Sequence, residues 1–191
     1  MPSTATADQI LDCAQSLLVD GGYNAFSYAD IAAVVGIRKA SIHHHFPAKA
    51  DLVQKLISRY RGEAEAGLAA IAVSVSDPHE QLCTYVEYWR TCIAKARPSY
   101  CICVMLAGEL PSLPEQVAVE VRHHFRSLAI WLSGVMEAGD AAGRVRLAGA
   151  VETEAELFVA TVHGAMLSAR AHSNPALFET ITAPLLRRFA R

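Results

Sequence analysis

Apolar side chains recur along most of this chain at intervals of three or four residues, the spacing that places them on one face of an α-helix. No segment alternates apolar and polar residues in the way that is typical of a β-strand. Glycines and prolines interrupt the helical pattern and divide it into about nine segments. The sequence therefore predicts an all-α fold, with helices over about 8–19, 27–36, 39–45, 48–72, 78–97, 99–109, 114–139 and 152–172, and a last helix from about 175 onward.

The segment 27–46 combines two short helical patterns with a glycine between them, the arrangement of a helix-turn-helix. Ser27 is a suitable N-cap for the first helix, and Asp30 follows three residues later in a box-like arrangement. Gly36 can adopt the left-handed backbone that the turn requires. The apolar positions that form a small core are Ile31, Val35, Ile37, Ile42 and Phe46. The exposed side of the second helix is then polar, rich in hydrogen-bond donors and without carboxylates, which suits the major groove of DNA.

Composition limits the functions that are open to the chain. Its 191 residues are 52% apolar and 19% charged, which is typical of a globular protein. The formal net charge is −2, so nucleic-acid binding would have to come from a local patch. Four of the six basic residues in 1–61 fall within 38–55. No membrane span or signal-peptide pattern occurs, so we expect a cytoplasmic protein without a membrane partner.

The cysteines and histidines do not follow a metal-binding pattern. Five irregularly spaced cysteines form no disulfide framework, and no zinc motif occurs. Successive helical residues point about 100° apart, so His43, His44 and His45 are not expected to share an ion. The same geometry directs Cys101 and Cys103 apart and favours a role as small core side chains. The alternative is that one of them is a pocket thiol that senses an oxidant or an electrophile. The sequence predicts neither a metal site nor a cofactor.

The N-terminal motif resembles the DNA-binding domain of TetR-type transcriptional regulators. The resemblance covers 8–60 and is carried by Gly21-Gly22-Tyr23, Ser27, Asp30-Ile31-Ala32, Val35-Gly36-Ile37 and the run from Lys39 to Lys49. It implies a three-helix DNA-binding domain over 1–48 and a larger helical ligand-binding and dimerisation domain over 49–191, connected by the helix at about 48–72. It also implies a homodimer that represses transcription from a pseudo-palindromic operator until a small-molecule effector binds.

Individual residues can be carried over from the family to this chain. Ser27 and Lys49 match positions that meet phosphate. His43 stands where the family often has a DNA-contacting tyrosine, and Arg38 replaces a small hydroxyl residue, so the base preference is expected to differ. The candidate DNA contacts are Ser27, Tyr28, Arg38, Lys39, Ser41, His43, His44 and Lys49.

The fifth to eighth helices are rich in aromatic residues and poor in charges, as an apolar ligand pocket requires. Its candidate lining is Tyr85, Tyr88, Trp89, Cys101, Met105, Phe125, Trp131, Phe158 and His163, with Arg90 and Glu109 at the edge. The last two helices carry a small and apolar side that is expected to face the second subunit. That side consists of Ala155, Ala165, Ala169, Leu177, Ile181 and Leu185.

No catalytic motif occurs in the sequence, which favours a regulator over an enzyme. The main prediction is a ligand-responsive repressor that leaves its operator when the effector binds. One alternative is a repressor that senses oxidants or electrophiles through Cys101 or Cys103. The alternative of another class is an all-α enzyme or ligand carrier.

Overall fold

A computed structural model describes residues 4–95 and 100–191 of the chain. Within these residues the only β-type pairing is an isolated bridge between Val145 and Ala190, and the all-α prediction is confirmed. Two 3-10 turns cover Tyr23–Ala25 and Leu110–Ser112. The helices are α1 (Thr4–Gly21), α2 (Tyr28–Val35), α3 (Lys39–His45), α4 (Lys49–Ser74), α5 (Pro78–Ala94), α6 (Ile102–Ala107), α7 (Glu115–Ala141), α8 (Val151–Ala171) and α9 (Ala176–Phe189).

Helix ends follow local capping chemistry. Asp77 caps α5 by accepting a hydrogen bond from the N–H of His79 at 2.8 Å, with Pro78 at the first helical position. The sixth helix is shorter than the range 99–109 that the sequence predicts. It begins at Ile102 because Cys101 has an extended backbone, and it ends before Gly108. Ser99, where this helix was expected to begin, and the expected stop of the fifth helix at Pro98 lie outside the described residues.

The described residues pack into two compact units. The first unit contains the residues up to Glu63 together with Cys101–His124. In it, α1 packs against α2, α3 and α6 around side chains such as Ile10, Ile31 and Ile42, all of which are fully buried. The second unit contains the residues from Ala64 to Tyr100 together with Phe125–Arg191. Its core lies where α8 and α5 pack against α9, with the rings of Phe158 and Phe189 5.7 Å apart.

The small and apolar side that the sequence assigns to the second subunit is largely core instead. Ala155, Ala165, Ala169 and Leu185 are buried within a single chain, where α8 packs against α9. The amphipathic pattern identifies the apolar side of each helix correctly, but it does not reveal which surface covers that side. α8 also has an exposed stripe at helical spacing, made of Leu157, Ala160, Gly164, Leu167 and Ala171. No helix in the described ranges has both the length and the apolar character needed to cross a membrane.

Candidate functional site

The N-terminus of α2 is closed by the capping box that the sequence predicts. The backbone N–H and the hydroxyl of Ser27 donate to the carboxylate of Asp30 at 2.7 and 2.8 Å. The N–H of Ala29 donates to the Ser27 hydroxyl oxygen at 3.2 Å. The hydrogen bonds from Ser27 lower the pKa of Asp30. Ser27 and Asp30 are both exposed, so this cap lies at the surface beside the start of α2.

The turn after α2 sets the direction of α3. Gly36 takes the left-handed conformation, with φ 75° and ψ 30°, and its N–H donates to the carbonyl of Ala32 at 3.0 Å. Arg38 is extended and immediately precedes α3. Ile42 is fully buried and fixes the inner side of α3.

The outer side of α3 is the polar surface that the sequence predicts. The exposed residues there are Arg38, Lys39, Ser41, His43 and His44, and α3 itself carries no carboxylate. We call these five residues the α3 face. The ring of His43 is held in place, because its Nδ1 lies 3.2 Å from the carbonyl oxygen of Pro47. A carbonyl only accepts hydrogen bonds, so Nδ1 carries the proton, and Nε2 of the neutral ring is an acceptor.

Two of the candidate DNA contacts point into the protein. Tyr28 is only 5% exposed, and its hydroxyl donates to the carbonyl of Phe46 at 2.8 Å. Burial, with a smaller contribution from Asp51, raises the pKa of Tyr28 to about 12. Tyr28 therefore connects α2 to the end of α3, and its expected role as a DNA contact is corrected.

Lys49 also makes internal contacts, although its side chain is only half-buried. Its ammonium donates to the carbonyl of Phe26 and lies 4.1 Å from the centre of the Phe26 ring and 4.8 Å from that of Tyr23. Burial lowers the pKa of Lys49, and the charges of Asp30 and Glu109 oppose that shift. These internal contacts stabilise the segment before α2, and the phosphate contact expected of Lys49 stays a prediction.

Glu109 lies beneath the turn between α1 and α2, not at the edge of a ligand pocket. Both of its carboxylate oxygens accept from the N–H of Tyr23 at 3.2 Å. Gly22 has φ 86° and ψ −175°, and a Cβ at this position would overlap the Glu109 carboxylate. The Gly21-Gly22 pair in the sequence indicates a turn, but no local signal indicates a partner 86 positions away.

Cys101, Cys103 and His124 form a buried cluster in the first unit. Their two sulfur atoms and an imidazole nitrogen all lie within 4.8 Å of one another. The expectation that the two cysteines point apart is wrong, because Cys101 precedes α6 and does not follow its helical rotation. Burial and the neighbouring Cys101 raise the pKa of Cys103 well above its usual value. This environment favours the protonated thiol and opposes the reactive thiolate that an oxidant sensor needs.

Part of the candidate ligand lining comes together in the second unit. The ring of Tyr85 lies 5.9 Å from that of Trp131 and 6.3 Å from that of Phe158. The rings of Phe125 and His163 meet edge to face at 5.4 Å. Cys101 and Met105 belong to the first unit, so they do not line a pocket within the second.

The indole N–H groups of Trp89 and Trp131 are buried donors. Among the described residues, neither that of Trp89 nor that of Trp131 has a hydrogen-bond partner. Trp131 is one of the candidate lining residues that lie together here, whereas Tyr88, another candidate, is 58% exposed. Arg90 does not line the groove described below. It is exposed and pairs with Glu87 at 2.6 Å.

The second unit also has an open surface groove of about 730 Å³ between α7 and α8. Of the candidate ligand residues, only Phe125 lines it. The groove contains more carboxylates than basic groups. Its lining is Phe125, Arg126, Ala129, Ile130, Ser133, Gly134, Glu137, Glu152 and Glu156.

Known proteins are similar to both parts of the chain. Residues 10–56 match the family of bacterial regulatory proteins described as the tetR family, and residues 78–185 match the tetracycline-repressor-like C-terminal domain. A TetR-family transcriptional regulator from Agrobacterium tumefaciens is 57% identical, with 100% of each chain covered and a TM-score of 0.97. A TetR regulator from Legionella pneumophila is 28% identical, with 99% of this chain and 100% of that chain covered and a TM-score of 0.88.

A third similar structure shows the fold alone. The reduced form of NemR from Escherichia coli is 19% identical, with 97% of each chain covered and a TM-score of 0.88. No curated protein matches the chain.

Proposed function

Because the chain belongs to the TetR family of bacterial regulatory proteins, we propose that it reads its operator through the α3 face. The protein is a ligand-responsive DNA-binding transcriptional regulator that acts as a homodimer. This assignment of residues rests on the outer surface of α3, which is exposed and has no carboxylate. The buried Ile42 on the inner side holds that surface in place. One such helix from each subunit would enter successive major grooves of a pseudo-palindrome.

Two residues of the α3 face carry the base preference. Arg38 is extended and exposed at the start of α3, and a guanidinium can donate two hydrogen bonds to the O6 and N7 atoms of guanine. His43 is exposed, and the acceptor Nε2 of its neutral ring suits the amino group of adenine or cytosine. Lys39, Ser41 and His44 supply further donors to bases and phosphates.

Ser27 is proposed as a phosphate contact at the N-terminus of α2. The helix dipole and the exposed position favour an anion there. The hydroxyl proton points to Asp30, so it must rotate to donate to a phosphate. Tyr28 acts indirectly by connecting α2 to the end of α3, and Lys49, which is only half-buried, is proposed to combine its internal contacts with a phosphate contact.

The test is a set of alanine variants measured against an operator library by fluorescence anisotropy. We expect Arg38→Ala and His43→Ala each to relax the preference at a different base position by about 1–3 kcal/mol. Lys55→Ala is the matched control, since Lys55 is exposed and basic but lies on α4. An equal loss for all three variants at every base position would contradict base reading by the α3 face.

Salt dependence separates this function from that of an all-α enzyme or ligand carrier. A regulator that neutralises several phosphates loses affinity steeply as salt rises, because condensed counterions are released on binding. A carrier or an enzyme would show only weak retention on DNA, without base preference. We also propose that the protein acts in the cytoplasm, where its operator would lie, and that it acts without catalysis.

The proposed dimer interface is the exposed stripe of α8. Leu157 and Leu167 are 43% and 45% exposed, which is unusual for leucine, and Gly164 between them permits a close approach of two helices. We expect Leu157→Glu to shift the protein to monomers in sedimentation measurements. Val73→Glu, at an exposed valine on α4, is the matched control and should leave the dimer intact. A dimer unaffected by Leu157→Glu would place the interface elsewhere.

The proposed effector site is the aromatic cluster of the second unit. Tyr85, Trp131 and Phe158 supply apolar surface, and the indole N–H groups of Trp89 and Trp131 supply buried donors. This combination suits a small organic molecule with an apolar body and an acceptor oxygen. The chain has two tryptophans, and the ring of one of them, Trp131, lies 5.9 Å from that of Tyr85. A compound that releases DNA should therefore change the tryptophan emission, and release without any such change would contradict this site.

A further inference from the structure

Cys101, Cys103 and His124 bring two sulfur atoms and a nitrogen together inside the first unit. The Sγ of Cys101 lies 3.6 Å from the Nε2 of His124. Cys101 and Cys103 have no solvent exposure, and His124 is 6% exposed. We propose that this cluster is a binding site for a single copper(I) ion.

The distances are those of a site that closes around an ion with little movement. Sulfur and nitrogen ligands lie about 2.0–2.3 Å from a bound metal ion, so ligands of the same ion stand about 3.5–4 Å apart. The three donor atoms lie within 4.8 Å of one another, and one pair is already at 3.6 Å. Side-chain shifts below about 1 Å would therefore complete the coordination.

The local backbone explains how two cysteines separated by one residue converge. Cys101 is extended, with φ −61° and ψ 118°, and stands just before α6. Cys103 lies in the first turn of α6, and His124 reaches the cluster from α7. The change from extended to helical backbone between the cysteines turns both thiols toward the same histidine.

The donor set selects a soft metal ion. Thiolates favour copper(I) and zinc, and imidazole binds both. A zinc ion takes four ligands, whereas this cluster offers three among the described residues and is closed to water. Copper(I) is satisfied by a thiolate pair with one imidazole nitrogen, so it fits the site without an external ligand.

Burial and the charge of Glu120 oppose a free thiolate at Cys103, so the metal–sulfur bonds must supply the free energy that deprotonates the thiols. As each S–Cu bond forms, the thiol loses its proton to solvent, and no electron is transferred. Two thiolates and one copper(I) ion leave one negative charge. The charge of Arg61 favours the Cys103 thiolate, while Glu120, which pairs with Arg61 at 3.4 Å, opposes it.

The position of the site suggests what binding would change. α6 packs against α1, and Glu109 just beyond α6 holds the turn before α2. An ion that ties Cys101 and Cys103 to α7 would fix the start of α6 within the unit that carries the α3 face. We therefore expect copper(I) to alter operator affinity, an expectation that rests on the proposed function.

The test is an anaerobic titration of the full chain with copper(I) against the coloured chelator bathocuproine disulfonate. We expect one copper per chain and an ultraviolet thiolate-to-copper absorption band. Cys101→Ser and Cys103→Ser should each weaken binding by roughly a hundredfold, and His124→Gln by roughly tenfold. Cys92→Ser is the matched control, because Cys92 is a buried cysteine outside the cluster.

Three results would overturn the proposal. They are binding by the wild type no tighter than by Cys101→Ser, an equal loss in Cys92→Ser, and a parallel zinc(II) titration in which zinc displaces bound copper. If the serine variants fail to fold, X-ray absorption of the wild-type copper complex provides a second test. A copper site without sulfur ligands would also overturn the proposal. Operator binding is measured separately without metal, so failure of the copper site and failure of the DNA-binding assignment give different results.

Discussion

Replacing Gly22 with alanine tests whether Glu109 holds the turn between α1 and α2. The conformation of Gly22, with φ 86° and ψ −175°, is almost restricted to glycine and costs other residues about 1–3 kcal/mol. The new Cβ would also displace the Glu109 carboxylate from the N–H of Tyr23. The loss of that charged hydrogen bond costs about 1.5–3 kcal/mol. We therefore expect Gly22→Ala to lower the free energy of unfolding by about 3–5 kcal/mol.

Gly36→Ala is the matched control for backbone strain alone. Gly36 is also left-handed, but a Cβ there would meet no described atom within 4 Å. Its expected cost is about 1–2 kcal/mol. Both variants are measured by urea unfolding at one protein concentration, because the stability of a homodimer depends on concentration.

A double-mutant cycle with Glu109→Ala isolates the clash. In the Glu109→Ala background the hydrogen bond and the overlap are both absent, so Gly22→Ala should cost only its backbone strain. The sum of the two single effects should exceed the double effect by about 1.5–3 kcal/mol. Additive effects, or equal losses for Gly22→Ala and Gly36→Ala, would refute the reasoning.

Three further substitutions test other contacts. Tyr28→Phe should lower the free energy of unfolding by about 1 kcal/mol, because the Phe46 carbonyl loses a buried donor; an unchanged urea midpoint would contradict this. The lowered pKa of Asp30 means that its stabilisation is present above the unfolded pKa, near 3.8, and is lost as the pH falls through the folded pKa. The free energy of unfolding of Asp30→Asn should therefore fall less steeply at acidic pH than that of the wild type, as measured by circular dichroism. Arg188→Met should cost roughly 2 kcal/mol by thermal unfolding, since it leaves the buried carboxylate of Glu154 without its 2.7 Å partner, whereas exposed Arg187→Met should be neutral.

The region around α2 and α3 could be predicted because its signals are local. Ser27 and Asp30 close the start of α2 through hydrogen bonds that span three residues, and Gly36 ends it through its own backbone conformation. Ile42 is buried and His43 is exposed, as the helical spacing requires. In this segment the sequence alone predicts where each helix begins and ends and which residues are buried or exposed.

The missed features depend on contacts that sequence spacing does not encode. Glu109 meets Tyr23 across 86 positions, and no local pattern links them. A two- to three-residue error in the start of α6 placed Cys101 on a helix and reversed the expected direction of its side chain. The resemblance implied a phosphate contact for Lys49, but it gave no sign that the ammonium also contacts a carbonyl and two aromatic rings.

The pattern of α8 predicts which side of the helix is apolar, but it does not predict which surface covers that side. Ala155 and Ala165 belong to an apolar side, and such a side can pack on its own chain or on another. The contact with α9 determines that it is covered within one chain. The exposed Leu157 and Leu167, which form part of the proposed interface, are left uncovered by α9.

The central claim is that the α3 face reads a specific operator. The most direct measurement is selection of sheared genomic DNA by the purified, ligand-free protein at about 0.15 M salt, where non-specific binding is weak. The account predicts enrichment of one pseudo-palindromic sequence, and loss of that enrichment in an Arg38→Ala, His43→Ala double variant. Recovery of DNA without sequence preference, or the same preference in the double variant, would contradict it.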